Sequence, residues 1–220
     1  MPISEHSLLL AIVFTDAAII IMLTTTWLSA GIAPFLKTWL VGLFISLVGT
    51  FASALFFMNP ELWVGAISFG ALAVGFSVNA LASFQFRTGQ LPLRLFGPVI
   101  LVVALATVVA MLAGYIGLSL IIWQAWAAVC GVAAAVNYWR ARAEAPVTLT
   151  ILTLFNLALA IPFALSAGIL VLDGNMFLPR PDNWADAASR LVALLMKLGS
   201  GAVLLVLSHW RAANRRELPA

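Results

Sequence analysis

Apolar residues run through this chain in long blocks, not in the every-other-residue alternation of a half-buried strand or the one-sided stripe of a surface helix. Seven blocks emerge, at about 7–31, 39–58, 62–84, 95–114, 116–139, 147–172 and 187–210. Each reaches the ~20 residues that a helix needs to cross the hydrocarbon layer of a bilayer. The breaks carry turn chemistry: "GIAPFLKT", "NPEL", "RTGQLPLR", "GYIG", "RARAEAP" and "DGNMFLPRPDNWAD". "GYIG" is the shortest, and the two runs that it joins could be trimmed differently. Within lipid only helices and closed barrels satisfy the backbone, and these runs are too long and too unalternating for barrel strands. The expected fold is all-α: an integral membrane bundle of seven transmembrane helices over 1–210, with 211–220 as the cytoplasmic start of a signalling helix or tail. Good helix formers at 211–217 should carry the last helix past the bilayer until Pro219 stops it. The opening "MPISEHSLLL" lacks the basic n-region of a signal peptide, so the first run reads as a mature span. Spans one to three do not echo four to six, so the inverted repeat of many transporters is missing.

Composition supports the membrane assignment, with 64% of the 220 residues hydrophobic and only 9% charged. The formal net charge of +3 has to be read by position. Lys37, Arg87, Arg94, Arg140, Arg142, Arg211, Arg215 and Arg216 fall on one side of the alternating spans, and Arg180 alone on the other. Basic residues concentrate on the cytoplasmic side, which predicts an outside N-terminus and a cytoplasmic C-terminus. Trp27, Trp39, Trp63, Trp139, Trp184 and Trp210 lie at span ends, where a headgroup belt is expected. Nothing resembles a basic, aromatic-interleaved nucleic-acid surface. The lone Cys130 excludes a disulfide within the chain and reads as a packing residue.

Asp16, Arg190 and Lys197 are the charged side chains well inside the spans. A charge there costs ~2.5–3.5 kcal/mol on insertion scales, so each calls for a partner. Asp16 is the tenth residue of its span and Lys197 the eleventh of its own, counted from the same surface, so they lie at matched depth. Two readings follow. In one the pair pins helix one to helix seven, with Arg190 an interfacial anchor. In the other these charges line an outward-opening pocket that senses a ligand, ion or proton. Asn79, Gln124 and Asn156 could line the same cavity or bond between helices. Trp123 and Trp126, inside span five, read as packing or as a ligand wall. Ala127, Gly131 and Ala135 form a small-residue stripe for close helix approach, and Pro162 should bend span six. No phosphate-binding loop or His-Glu-x-x-His motif is present, and His6 and His209 lie at opposite faces. Neither a catalytic residue nor a metal site is therefore expected, nor any cofactor unless it is retinal.

Seven helices, an outside N-terminus and "KLGSGAVLL" after position 196 resemble microbial rhodopsins, whose corresponding lysine carries retinal. That resemblance would make Lys197 the cofactor-binding residue, with Asp16 as counter-ion. Span three, however, lacks the acidic counter-ion and the Arg-Tyr-x-x-Asp-Trp type of motif. A broader resemblance runs from "HSLLLAIVFTDAAIII" through "MNPELWVGAISFGALAVGFSVNAL" and "RARAEAP" to "LLVLSHWRAANRRELPA". In layout this is similar to the N-terminal membrane module of bacterial diguanylate cyclases that end in a GGDEF domain. It implies a sensor that relays an outer or intramembrane signal through helix seven to a cytoplasmic output domain, within a homodimer. These 220 residues hold no cyclase motif, so no enzyme activity is expected of them. A carrier or channel-like protein is the alternative. The lipid bilayer is the remaining partner.

Overall fold

The computed structural model describes residues 5–30, 33–174, 177 and 184–214, with side chains at 7–28, 33–174, 177 and 190–207. The described residues form seven helices and no strand: α1 (Glu5–Ala30), α2 (Pro34–Met58), α3 (Leu62–Thr88), α4 (Leu93–Leu112), α5 (Ile116–Arg140), α6 (Pro146–Leu172) and α7 (Trp184–Asn214). All seven are long and apolar enough to cross a membrane. The short turn at "GYIG" is real. Gly114 adopts φ +84°, a left-handed conformation that side chains resist, and the Tyr115 amide donates to the Ala110 carbonyl. Gly89, at φ +75°, ends α3 in the same way.

α2 and α3 run about a turn longer than expected, and α7 begins three residues early. α2 starts at Pro34, not near 39, because proline in the first turn loses no bond that the helix would have made. Thr38 then donates to the Gln85 side chain at 2.6 Å, tying the two helix ends together. At 31 residues α7 is about 46 Å long, well beyond a ~30 Å hydrocarbon layer. Its helical continuation is seen to Asn214; residues 215–217, and Pro219 as the stop, lie outside the described residues.

Neighbouring helices close a ring in the order α1, α2, α3, α5, α6, α7 and back to α1, with α4 packed outside against α3 and α5. Only Thr107, Ala110 and Met111 of α4 are buried, and Ser119 of α5 donates to the Thr107 carbonyl at 2.9 Å. The odd-numbered helices begin at one end of the ring, called here the upper end. In lipid, helix association rests on close packing and not on apolar burial, so small residues decide the seams. On α5, Ala127 and Ala135 are buried, and a Cβ added to Gly131 would lie 3.0 Å from the Asn156 carbonyl oxygen of α6, as the small-residue stripe predicted. A second stripe, Gly42, Ser46, Gly49 and Ser53 on α2, faces α3. There a Cβ at Gly49 would sit 2.9 Å from the Ser68 carbonyl oxygen, and one at Gly75 would sit 2.9 Å from that of Gly42.

The interior divides into two clusters. The upper one gathers Phe56, Phe69, Phe76, Trp123 and Phe163, and the lower one Leu36, Leu43, Phe86, Tyr138 and Leu204. Trp39 belongs to the lower cluster and is only 7% exposed, so it is not part of a headgroup belt. Its position follows from α2 beginning a turn early, which places residue 39 inside the helix and on the face that meets the core. Trp27, Trp63 and Trp139 are exposed near helix ends, as a belt requires. The side chains of Trp184 and Trp210 lie outside the described residues.

Candidate functional site

The side chain of Lys197 reaches across the seam between α7 and α1. Its ammonium donates to Asp16 Oδ2 at 2.6 Å, and the exposures are 10% for Lys197 and 0% for Asp16. Equal depth, counted from the sequence, thus corresponds to contact. The seam admits the pair because α1 and α7 approach closely just below it: a Cβ at Gly201 would stand 3.3 Å from the Ile19 side chain. Gly199 faces the Phe155 ring of α6 instead. Both glycines of "KLGSGAVLL" therefore have packing reasons that need no bound chromophore. Among the described residues Asp16 Oδ1 has no hydrogen-bond partner.

Lys197 lines two cavities, each of about 50 Å³, stacked along the ring axis with Phe76 as their other shared wall. By the same measure a water needs roughly 10–15 Å³, so each holds a few water molecules. The upper cavity is walled by α1, α2, α3, α5, α6 and α7. Besides Lys197 its polar lining is Arg190, Trp123, Thr50 and Ser53. Arg190 lies two turns above Lys197 on one face of α7, with its guanidinium 4.7 Å over the Phe57 ring. It is 9% exposed, so the interfacial-anchor reading gives way to a cation turned into the bundle.

Trp123 stands among rings, 6.1 Å from Phe69 in a stacked arrangement and 5.2 Å from Phe163 edge-on. Its indole Nε1 has no acceptor among the described residues. Trp126 departs from the expected ligand wall. It points between α3 and α5, donates to the Ser77 hydroxyl at 2.7 Å, and lines a separate cleft beneath α4. It lines neither of the chambers that Lys197 borders.

The lower cavity holds Asn79 and Asn156, on α3 and α6. Asn156 donates to the Leu152 carbonyl at 2.7 Å, while Asn79 Oδ1 finds no donor among the described residues. Gln124 is buried but lines neither cavity, which corrects its grouping with the two asparagines. The sequence reading missed Thr50 and Ser53. Their signal was the small and polar stripe of α2, which reads as a helix seam until the cavity beside it is seen. No group of three His, Cys, Asp or Glu side chains among the described residues is placed to hold a metal ion.

Chemically, the arrangement puts a cation with spare donors at the junction of two small chambers. The same cation ties the first helix to the seventh. Whatever alters its pairing with Asp16 acts on the seam that closes the ring. No protein-family model, curated protein or solved structure matches the chain.

Proposed function

We propose that this chain is the membrane sensor of a bacterial signalling protein, set in the cytoplasmic membrane with its upper end outside. The observation that carries the reading is the Asp16–Lys197 pair: a buried ion pair spans the α1–α7 seam, and its lysine faces a cavity on either side. A seam held by such a contact has two arrangements, paired and unpaired, which is what a switch requires. α7 is the output element because it runs on to Asn214, past the apolar run of the last span, toward the end rich in arginine and lysine. The similarity in layout to diguanylate cyclase sensor modules supports the same direction of signalling, toward a cytoplasmic domain in a dimer.

The test is a chimera with a diguanylate cyclase domain joined after Ala220. Asp16→Asn and Lys197→Met should each shift cyclase output severalfold at equal membrane abundance. Wild-type output from both variants would overturn the sensor reading. The two stacked cavities favour a carrier as the second reading, and solute flux in liposomes would establish it. A retinal photoreceptor would need a chamber far longer than either cavity; colour on adding retinal would establish that reading.

A further inference from the structure

Within the membrane setting and orientation proposed above, on which this inference rests, we propose that the cleft between α3, α4 and α5 holds an acyl chain of one anionic phospholipid, with its phosphate at Arg87 and Arg140. The cleft exists because α4 is seated by its upper half. Thr107, Ala110 and Met111 are its buried residues, and every residue from 93 to 106 is at least partly exposed. Lower down, Phe96 meets the Phe84 ring edge-on at 6.0 Å, which closes the seam toward α3. On the α5 side Val129 and Ala133 are exposed, so the remaining space of about 140 Å³ opens sideways.

Size and walls select a hydrocarbon. An apolar cavity of about 150 Å³ takes a benzene molecule, so this cleft has room for part of one chain. Its polar groups are already used. Trp126 donates to Ser77 at 2.7 Å, and Asn137 donates to Ser83 at 3.2 Å. Phe84, Phe96, Ile100 and Val129 supply apolar wall, which offers a polar solute little. Along α5 the lining runs from Trp126 to Asn137, a length of about 16 Å, against about 15 Å for the hydrocarbon of one leaflet.

Charge selects the head group. α3 and α5 each carry an arginine in the last turn, on the stripe that lines the cleft: Arg87 lies one turn below Phe84, and Arg140 one turn below Asn137. Arg140 is exposed and makes no ion pair among the described residues. Arg87 is half-buried, with its guanidinium 5.1 Å over the Phe84 ring, and a cation stacked in that way keeps N–H groups at its edge for a phosphate. Arg142 is engaged elsewhere, donating to the Trp139 carbonyl and lying over the Trp139 ring. Arg94, exposed in the first turn of α4, adds positive charge at the same end. Basic pockets between spanning helices on the cytoplasmic side suit anionic head groups. The bound chain braces the lower half of α4, which the protein itself leaves unpacked.

Native mass spectrometry and thermal unfolding of the purified full-length protein in detergent test this, with dioleoyl phosphatidylglycerol as the probe. Dioleoyl phosphatidylcholine supplies the chains without net charge, and glycerol 1-phosphate the head group without chains. The expected result is one phosphatidylglycerol retained through delipidation, with more stabilisation than either control gives. Arg87→Gln and Arg140→Gln should each weaken retention about fivefold. Arg142→Gln removes the same charge from the same end and should change it far less. Ala133→Phe fills the cleft from its open side and should abolish the preference for phosphatidylglycerol. The proposal is overturned if phosphatidylcholine is retained and stabilises as well, if glycerol phosphate suffices, if Arg142→Gln weakens retention as much as Arg140→Gln, or if Ala133→Phe binds like wild type. Phosphatidylglycerol retained by a chain whose chimera output ignores Asp16→Asn and Lys197→Met would overturn the sensor reading and keep the lipid site. The converse pair of results would overturn the lipid site alone.

Discussion

Cutting the Asp16–Lys197 pair from either side should have unequal costs. Asp16 is fully enclosed, and one of its oxygens already lacks a partner among the described residues. Lys197 borders two chambers that can hold water. Lys197→Met therefore strands a carboxylate with no solvent within reach, and the upper part of the range for breaking a buried pair applies, about 4–5 kcal/mol. Asp16→Asn strands an ammonium that waters in either cavity can solvate, and an amide oxygen remains to accept one bond. Its cost should be nearer 2–3 kcal/mol. The double variant leaves no charge behind, so it should fall well short of the sum, with a coupling energy of about 2 kcal/mol or more. Denaturant unfolding in mixed detergent micelles gives all four stabilities. If the single effects add to within about 0.5 kcal/mol, the two residues do not share an interaction and the argument fails. Equal single effects would refute the part of it that concerns solvation.

Further outcomes follow from the packing. Gly49→Ala and Gly75→Ala each press a methyl against backbone across the α2–α3 seam and should cost about 1–3 kcal/mol, whereas Gly97→Ala, which meets open space, should cost none of that; unfolding in detergent compares them. Trp126→Phe removes the bond to Ser77 and should cost about 1 kcal/mol, which unfolding in detergent measures; a stability equal to wild type would refute the contribution of that bond. Reporters fused after Ala220 or within 140–146 should be active only if they work in the cytoplasm. A periplasmic reporter active at either place would reverse the assigned orientation.

The helices were legible because uninterrupted apolar length and turn residues are properties of the chain itself. Asp16 and Lys197 were legible because depth is a count along a helix, and charges in apolar surroundings seek each other. Rotation about the helix axis was much less so. Trp39 sits at a depth consistent with the sequence reading, yet it faces the core and not the headgroups. Helices apolar all round give no moment by which to assign a buried face, so only the close approach of neighbours decides it. Gln124 shows the same limit: it is buried at the expected level, but turned away from the cavities that Asn79 and Asn156 reach. The α2 stripe of Gly42, Ser46, Gly49 and Ser53 could have been found from its spacing alone, and with it the polar wall of the upper cavity.

Asp16 and Lys197 are separated by 181 positions in the chain. A ribosome adding ~5–20 residues per second needs roughly 10–40 seconds to travel between them. On the membrane reading, α1 enters the bilayer early and carries a carboxylate whose partner does not yet exist. The rest of that span is strongly apolar, with a mean hydropathy of 2.3, and favours insertion against the ~2.5–3.5 kcal/mol penalty of the charge. The half-built bundle is then an open arc, with α1 at one free edge and the later helices of the ring added at the other, while α4 packs outside. Closure is a single late event in which α7 arrives with the counter-charge. A chain truncated before residue 197 keeps six helices but leaves an exposed acidic groove, the kind of defect that membrane quality control can recognise.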